Sequence, residues 1–270
     1  MSDWVKKYYN DHAAQEWKRL DNAQSKIEFA STLRLIEKYF PRLGRVCDIG
    51  GGPGRYTIEL AKRGYQVTLF DISEEEIKLA NTRLVELGLQ AELLVGDARN
   101  LNQCITGSFD AALLMGPMYH VIDIQGRRKI LRQLKSILKP GGLAIIAYLN
   151  SWGLIRTGIT DFPDWYKDAT RLRSLLNDQT FEGQTLSDFT ECYWSNPDIA
   201  IEEIESAGLK IISYAGVESF ASGMYPLVEK LSSENPEAYA NVLQVAAETC
   251  ELKQYRDSTD HLHFVVQNPI

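Results

Sequence analysis

Between residues 45 and 150 the chain repeats one rhythm: a short, nearly unbroken apolar run, a turn rich in glycine or aspartate, an amphipathic stretch, then another apolar run. RVCDIG (45–50), QVTLFD (66–71), AELLVGD (91–97), FDAALLMG (109–116) and LAIIAYLN (143–150) read as strands. RYTIELAKRG (55–64), SEEEIKLANTRLVELG (73–88) and GRRKILRQLKSILKPGG (126–142) read as helices between them. Strands that are apolar at both alternate positions need cover on both faces, which a parallel sheet flanked by helices supplies. The pattern predicts a doubly wound α/β fold. The helix at 73–88 opens on Ser73 with Glu76 three residues on, the spacing of a capping box, and closes on Gly88.

The flanks obey other rules. The first forty residues read as helix, with Ile27, Leu33, Leu35, Ile36 and Phe40 near helical spacing and Pro41 and Gly44 as the stop. From residue 151 the strand period disappears, and the stretch is expected to be a mostly helical insertion. It carries Trp152, Phe162, Trp165, Tyr166, Phe181, Phe189, Tyr193 and Trp194. Such aromatics suit either a lid over an apolar or ring-bearing ligand or a small core of the insertion's own. Arg156, Arg171 and Arg173 there suit an acidic ligand or plain solvation. The α/β rhythm resumes at Asn196-Pro197, with a helix to Gly208, a strand in LKIISYAGVES, helix over 224–256 and a terminal strand at 261–267. The expected division is 1–43 as N-terminal helices, 44–150 with 196–270 as core, and 151–195 as a cap.

Charge narrows the function. Twenty-nine Lys and Arg against 36 Asp and Glu leave a formal charge of −7, which weighs against a general nucleic-acid binder. No apolar run approaches the roughly 18 residues of a membrane span, and the first twenty residues contain no secretory apolar region. The four cysteines, Cys47, Cys104, Cys192 and Cys250, form no C-x-x-C pair, and no carboxylate stands at metal-ligand spacing from the histidines. A cytoplasmic protein without a metal is expected.

The segment 46–55, VCDIGGGPGR, places glycines between a strand and a helix, where backbone N–H groups can meet a ligand. A dinucleotide fingerprint, G-x-G-x-x-G/A, requires a small third residue. Counted from Gly50 that place is Arg55, and from Gly52 it is Thr57, so this register fails. What remains is D-x-G-x-G-x-G from Asp48 through Gly50, Gly52 and Gly54. Asp71 ends the second strand, where a carboxylate can accept both hydroxyls of a ribose. Asp97 ends the third, where it can accept an exocyclic amine. Each alone reads equally well as a turn residue, but three carboxylates at successive strand ends beside a glycine loop describe a nucleoside site.

These stretches, with LKPGGLAIIAYLN and FDAALLMGPMYHV in the same order, resemble the class I S-adenosylmethionine-dependent methyltransferases. The segment Glu16-Trp17-Lys18-Arg19-Leu20 and the G-P-x-Y-H run at 116–120 look more narrowly like a bacterial small-molecule subgroup. The resemblance implies a Rossmann-like seven-stranded sheet of order 3-2-1-4-5-7-6 with its last strand antiparallel. It implies S-adenosyl-L-methionine as methyl donor and S-adenosyl-L-homocysteine as product. Gly50, Gly51 and Gly52 would line the methionine part, with Asp48 in the same motif. Asp71 would take the ribose hydroxyls, Ile72 would flank the adenine, and Asp97 and Ala98 would meet its edge. The Met115–Gly116 backbone would close over the amino group. Tyr9 and Arg19 would cover the site, with Arg19 either paired to the cofactor carboxylate or solvated.

A sulfonium makes its methyl group electrophilic, so the protein must align an acceptor and remove a proton where one is lost. His120, just after the fourth strand, is the candidate base, or else a helix-capping histidine bound to a backbone carbonyl. Tyr119 beside it can orient the acceptor or belong to the core. His261 and His263 alternate on the last strand and read as structural. The place after strand four, Met115-Gly116-Pro117-Met118, lacks the Asn/Asp-Pro-Pro-Tyr/Phe of nucleic-acid amine methylation. Methyl transfer to an oxygen or nitrogen of a small molecule is the expected activity. The rivals are a cofactor-sensing protein without turnover and a nicotinamide-dependent oxidoreductase. Neither the acceptor nor the oligomeric state is written in the sequence.

Overall fold

The computed structural model describes residues 2–181 and 190–270. The chain enters through helices α1 (Asp3–Arg19) and α2 (Ala23–Tyr39), then runs β1 (Arg45–Ile49), α3 (Arg55–Lys62), β2 (Gln66–Asp71), α4 (Glu74–Glu86) and β3 (Glu92–Val95). It continues through α5 (Leu101–Cys104), β4 (Phe109–Leu114), α6 (Pro117–His120), α7 (Ile124–Ile137) and β5 (Leu138–Asn150). The insertion holds α8 (Ser151–Asp161), α9 (Ala169–Ser174), β6 (Gln179–Phe181) and β7 (Cys192–Ser195). Last come α10 (Pro197–Ser206), β8 (Lys210–Gly216), α11 (Tyr225–Glu234), α12 (Pro236–Thr249), α13 (Lys253–Arg256) and β9 (His261–Gln267). Among the described residues no helix is long and apolar enough to cross a membrane.

Both faces of the central strands are filled. On β4, Ala112 and Leu114 join Cys47, Phe70, Ile146 and Phe264 on one face, under Leu101 of α5, Leu134 of α7 and Ile204 of α10. Ala111 and Leu113 point the other way, into a cluster with Leu35 and Ile36 of α2 and Leu60 of α3. This two-sided burial is what the unbroken apolar runs demand.

β1 to β5 are parallel, in the order β3-β2-β1-β4-β5, and β9 lies antiparallel between β5 and β8. Those seven strands have the expected order, with the last one reversed. The insertion departs from expectation. Its second half is a hairpin, β6 against β7, and β7 pairs in parallel with Leu149 and Asn150. Leu149 pairs with His261 of β9 as well, so β7 occupies the opposite edge of β5, the one β4 leaves after Ile146. Strands of three and four residues are too short to show a period. The N-terminal helix is also divided, because Asn22 accepts the Ser25 N–H at 2.7 Å and starts α2 afresh.

Arg127 locks the hairpin, α7 and α10 together. Its guanidinium donates to Glu203 through Nε and Nη2, the latter at 2.6 Å, and through Nη1 to the carbonyls of Val121 and Ile122. It also lies 3.5 Å from the ring centroid of Tyr193. Both charged side chains are 3% exposed. Glu203→Ala leaves the guanidinium buried without its counter-charge and is expected to cost about 3–5 kcal/mol. Urea unfolding would show this as a lower midpoint at unchanged slope; a loss under about 1 kcal/mol would mean the pair does not hold these elements.

Candidate active site

The sheet reverses direction of growth between β1 and β4, and the carboxyl ends of β1, β2, β3 and β4 meet there around a cleft with about 880 Å³ of empty space, part of it open. The loop after β1 forms its floor because glycine alone fits. A Cβ on Gly50, whose φ is +75°, would stand 2.0 Å from the Met115 carbonyl oxygen, and one on Gly51 would stand 2.3 Å from Leu69 Cδ1. The Asp71 carboxylate fixes this loop: Oδ2 accepts the Gly52 N–H at 2.9 Å and Oδ1 the Ser73 N–H at 2.8 Å. Burial raises its pKa, against the three backbone N–H groups of Ser73, Gly52 and Ile72 that favour the charge.

That second bond undoes half of the capping box. Ser73 Oγ accepts the Glu76 N–H at 3.1 Å as expected. The return arm would place the Glu76 carboxyl on the Ser73 N–H, which Asp71 already holds. The Glu76 side chain instead faces the cleft. Ser73 Oγ donates onward to Asn10 Oδ1 at 2.8 Å, and Arg83 lies 3.6 Å from the Trp17 ring centroid, so α1 is seated on α4. From this seat α1 covers the cleft with Tyr9, Glu16 and Arg19. Arg19 grips Glu16 with Nε and Nη2, at 2.7 Å for the latter.

His120 is buried at the end of α6, 3% exposed. Its Nδ1 lies 3.1 Å from the Glu191 carbonyl and its Nε2 lies 2.8 Å from Tyr9 Oη. A carbonyl only accepts, so Nδ1 carries the proton, and Nε2 accepts from the tyrosine hydroxyl. Burial drives the imidazole down to about 4, helped by the Arg19 charge and opposed by the Glu191 carbonyl. Tyr119 lines the cleft beside it, with its ring 4.8 Å from that of His120. Glu28 of α2 faces the same space. Burial would raise its pKa, but the neighbouring His261, His263, Arg55 and Arg19 bring it below the ordinary value. His261 and His263 themselves are tied to Glu218 and Thr32, in keeping with a structural place.

Of the residues singled out by sequence, Tyr9, Arg19, Gly50, Gly51, Gly52, Asp71, Ile72, Ala98, Met115, Gly116, Tyr119 and His120 all line the cleft. Asp48 and Asp97 do not. Asp48 is fully buried under the loop, where it accepts from Thr57 Oγ1 at 2.7 Å, and burial pushes it up to about 6. Asp97 turns to Arg99, which approaches to 2.6 Å. Burial opposes its charge, yet the Arg99 contact prevails and brings it down to about 2. Its chain neighbours Gly96 and Ala98 reach the cleft in its stead. Of the insertion's aromatics, Phe162, Trp165 and Trp194 pack on Leu149, Leu154 and Leu175 as a core of their own. Phe189 lies outside the described residues, as does the side chain of Phe181. Sequence reasoning missed Glu28, Arg55 and Tyr56, which carry no motif, and misread Glu76 as a cap.

The bonds on both His120 nitrogens predict a neutral Nδ1–H tautomer at pH 7, readable from ¹⁵N chemical shifts. Because the folded value of about 4 lies below the ordinary 6.5, its contribution to stability is complete above pH 6.5 and is withdrawn as the pH falls toward 4. His120→Gln is expected to flatten part of that acid loss in chemical unfolding; an unchanged slope would contradict the assignment.

Comparison with known proteins agrees with this geometry. Residues 46–142 match the family described as a methyltransferase domain. A ubiquinone biosynthesis O-methyltransferase of Xanthomonas axonopodis pv. citri is 33% identical over 140 residues, 51% of this chain and 57% of that protein. The match thus spans little more than half the length of that curated relative. A solved methyltransferase structure from Methanosarcina mazei superposes with a TM-score of 0.57 at 19% identity, covering 87% of this chain and 97% of its own. The 1,6-didemethyltoxoflavin-N1-methyltransferase of Burkholderia thailandensis gives 0.59 at 14% identity, covering 97% of this chain and 84% of its own. Residues 46–142 are thus similar to a methyltransferase domain, and the sheet that carries them has the strand order expected of the class I S-adenosylmethionine-dependent methyltransferases.

Proposed function

We propose that this protein transfers a methyl group from S-adenosyl-L-methionine to an oxygen or nitrogen of a small-molecule acceptor. The observation that carries the reading is the Asp71 carboxylate fastened beside a glycine loop with no room for a Cβ at Gly50 or Gly51, at the strand ends where a nucleoside lies in this fold. The residues present fit that donor. Gly50 to Gly52 leave backbone close to the methionine part, Asp71 turns its carboxylate edge to the cleft for the ribose, and Ile72, Gly96 and Ala98 line the wall for the base. When bound, the cofactor would supply an electrophilic methyl on a positively charged sulfur.

The chain's own work is orientation and proton removal. Tyr9, Tyr119 and His120 stand together in the cleft. An acceptor proton passes to Tyr9 Oη as Tyr9 gives its own to His120 Nε2. The imidazolium then replaces the positive charge that the site loses with the methyl group. In this reading His120 acts through Tyr9, and Arg19, held by Glu16, guards the entrance. The ubiquinone-pathway relative supports a hydroxyl acceptor, and the absence of basic excess supports a small molecule over a nucleic acid. The four free cysteines, three of them buried, support a reducing, cytoplasmic setting.

Thermal unfolding tests the donor. At a hundredfold excess over its dissociation constant, S-adenosylhomocysteine is expected to stabilise by about 2.7 kcal/mol, a rise in midpoint of roughly 5–10 °C. Asp71→Ala is expected to abolish most of that rise, and NAD to give none. A shift with NAD alone would favour an oxidoreductase. Cofactor binding without label transfer from methyl-labelled donor to any compound of a metabolite extract would favour a sensing protein.

A further inference from the structure

Glu76 occupies the first turn of α4, 1% exposed, and neither of its carboxyl oxygens has a hydrogen-bond partner among the described residues. A buried carboxyl without partners is costly, and an aliphatic side chain would fill the same place without that cost. The side chain faces the cleft, on the same glycine that Asp71 holds: a Cβ on Gly52 would lie 3.9 Å from Glu76 Oε2, and the Gly52 N–H bonds to Asp71.

The charged groups around it are Asp71 at the end of β2, Glu16 and Arg19 on α1, and Arg83 on its own helix. Arg19 is engaged by Glu16, and Arg83 lies over Trp17. Burial and the two carboxylates therefore prevail, and Glu76 is pushed up to about 9. At neutral pH it holds its proton, so it offers an O–H donor where Asp71 offers only acceptors. A ribose diol requires both. Its hydroxyl protons go to a carboxylate, and its oxygen lone pairs still need a donor once water is excluded.

We propose that Glu76 is the second half of the nucleoside grip, a neutral carboxyl that donates to a ribose hydroxyl whose own proton goes to Asp71. The inference rests on the reading of the cleft as an S-adenosylmethionine site.

Isothermal titration with S-adenosylhomocysteine, adenosine and 2′,3′-dideoxyadenosine tests it on wild type, Glu76→Leu and Glu76→Gln. At pH 7.5 Glu76→Leu is expected to weaken the first two by roughly five- to tenfold and to leave the dideoxy compound unchanged. Glu76→Gln keeps a donor and is expected to stay near wild type. Above about pH 9 the wild-type affinity should fall while that of Glu76→Gln does not. The ligand-free Glu76→Leu protein should unfold at or above the wild-type midpoint, which separates a ligand role from a structural one. Tight wild-type binding that Glu76→Leu leaves unchanged, or an equal loss for the dideoxy compound, overturns this inference alone. No binding of S-adenosylhomocysteine by wild type overturns the cofactor reading and this inference together.

Discussion

One carboxylate organises the donor side of this molecule. Asp71 receives the N–H of Gly52 from the loop after β1 and the N–H of Ser73 from the entry of α4. Hydrogen bonds to a charged acceptor are worth about 1.5–3 kcal/mol each, enough to hold a glycine-rich loop whose one side chain, that of Pro53, offers no polar anchor. The geometry has a second effect one turn later. With the Ser73 N–H taken, Glu76 cannot complete its cap and is left facing the ligand space. Ser73 Oγ, while it accepts the Glu76 N–H, donates its own proton to Asn10 and so fastens α1 across the opening.

The α/β core was plainly legible, because a parallel strand buried on two faces leaves an unbroken apolar run that no other element of five or six residues produces. The sheet side of the cleft lining was legible for the same reason: strand ends mark the edge where clefts open in this fold, and glycines mark where backbone must come close. The departures from the expected cleft lining are local and physical. Asp97 sits one residue beyond Gly96, and Arg99, two positions on, claims its carboxylate. Asp48 has the motif position of a ligand contact but points beneath the loop to Thr57. Nothing in the order of residues tells which way a carboxylate turns once two partners compete for it.

The two halves of the cleft have different origins. Sheet ends and their glycines build the donor half, where backbone geometry leaves little latitude. Helices α1 and α2 build the other half with Tyr9, Glu16, Arg19 and Glu28, all of them side chains on surfaces whose apolar period says nothing of chemistry. The charged pair Glu16–Arg19 and the carboxylate of Glu28 make that half polar, while Tyr119 and Tyr9 give it rings. Its shape depends on how α1 rests on α4, through contacts far apart in the chain, which is why no short motif announces it.

The hairpin that continues the β4 edge reaches the sheet through only two paired positions of β5. Yet the residue just before β7, Glu191, presents the carbonyl that decides which nitrogen of His120 is protonated. Residue 191 also lies beyond the matched domain of 46–142. Under the proposed function, swapping or trimming this lightly stitched appendage would therefore retune the acid–base character of His120 while the Asp71 side of the cleft stayed intact, which leaves the reaction free to diversify by exchange of a peripheral module.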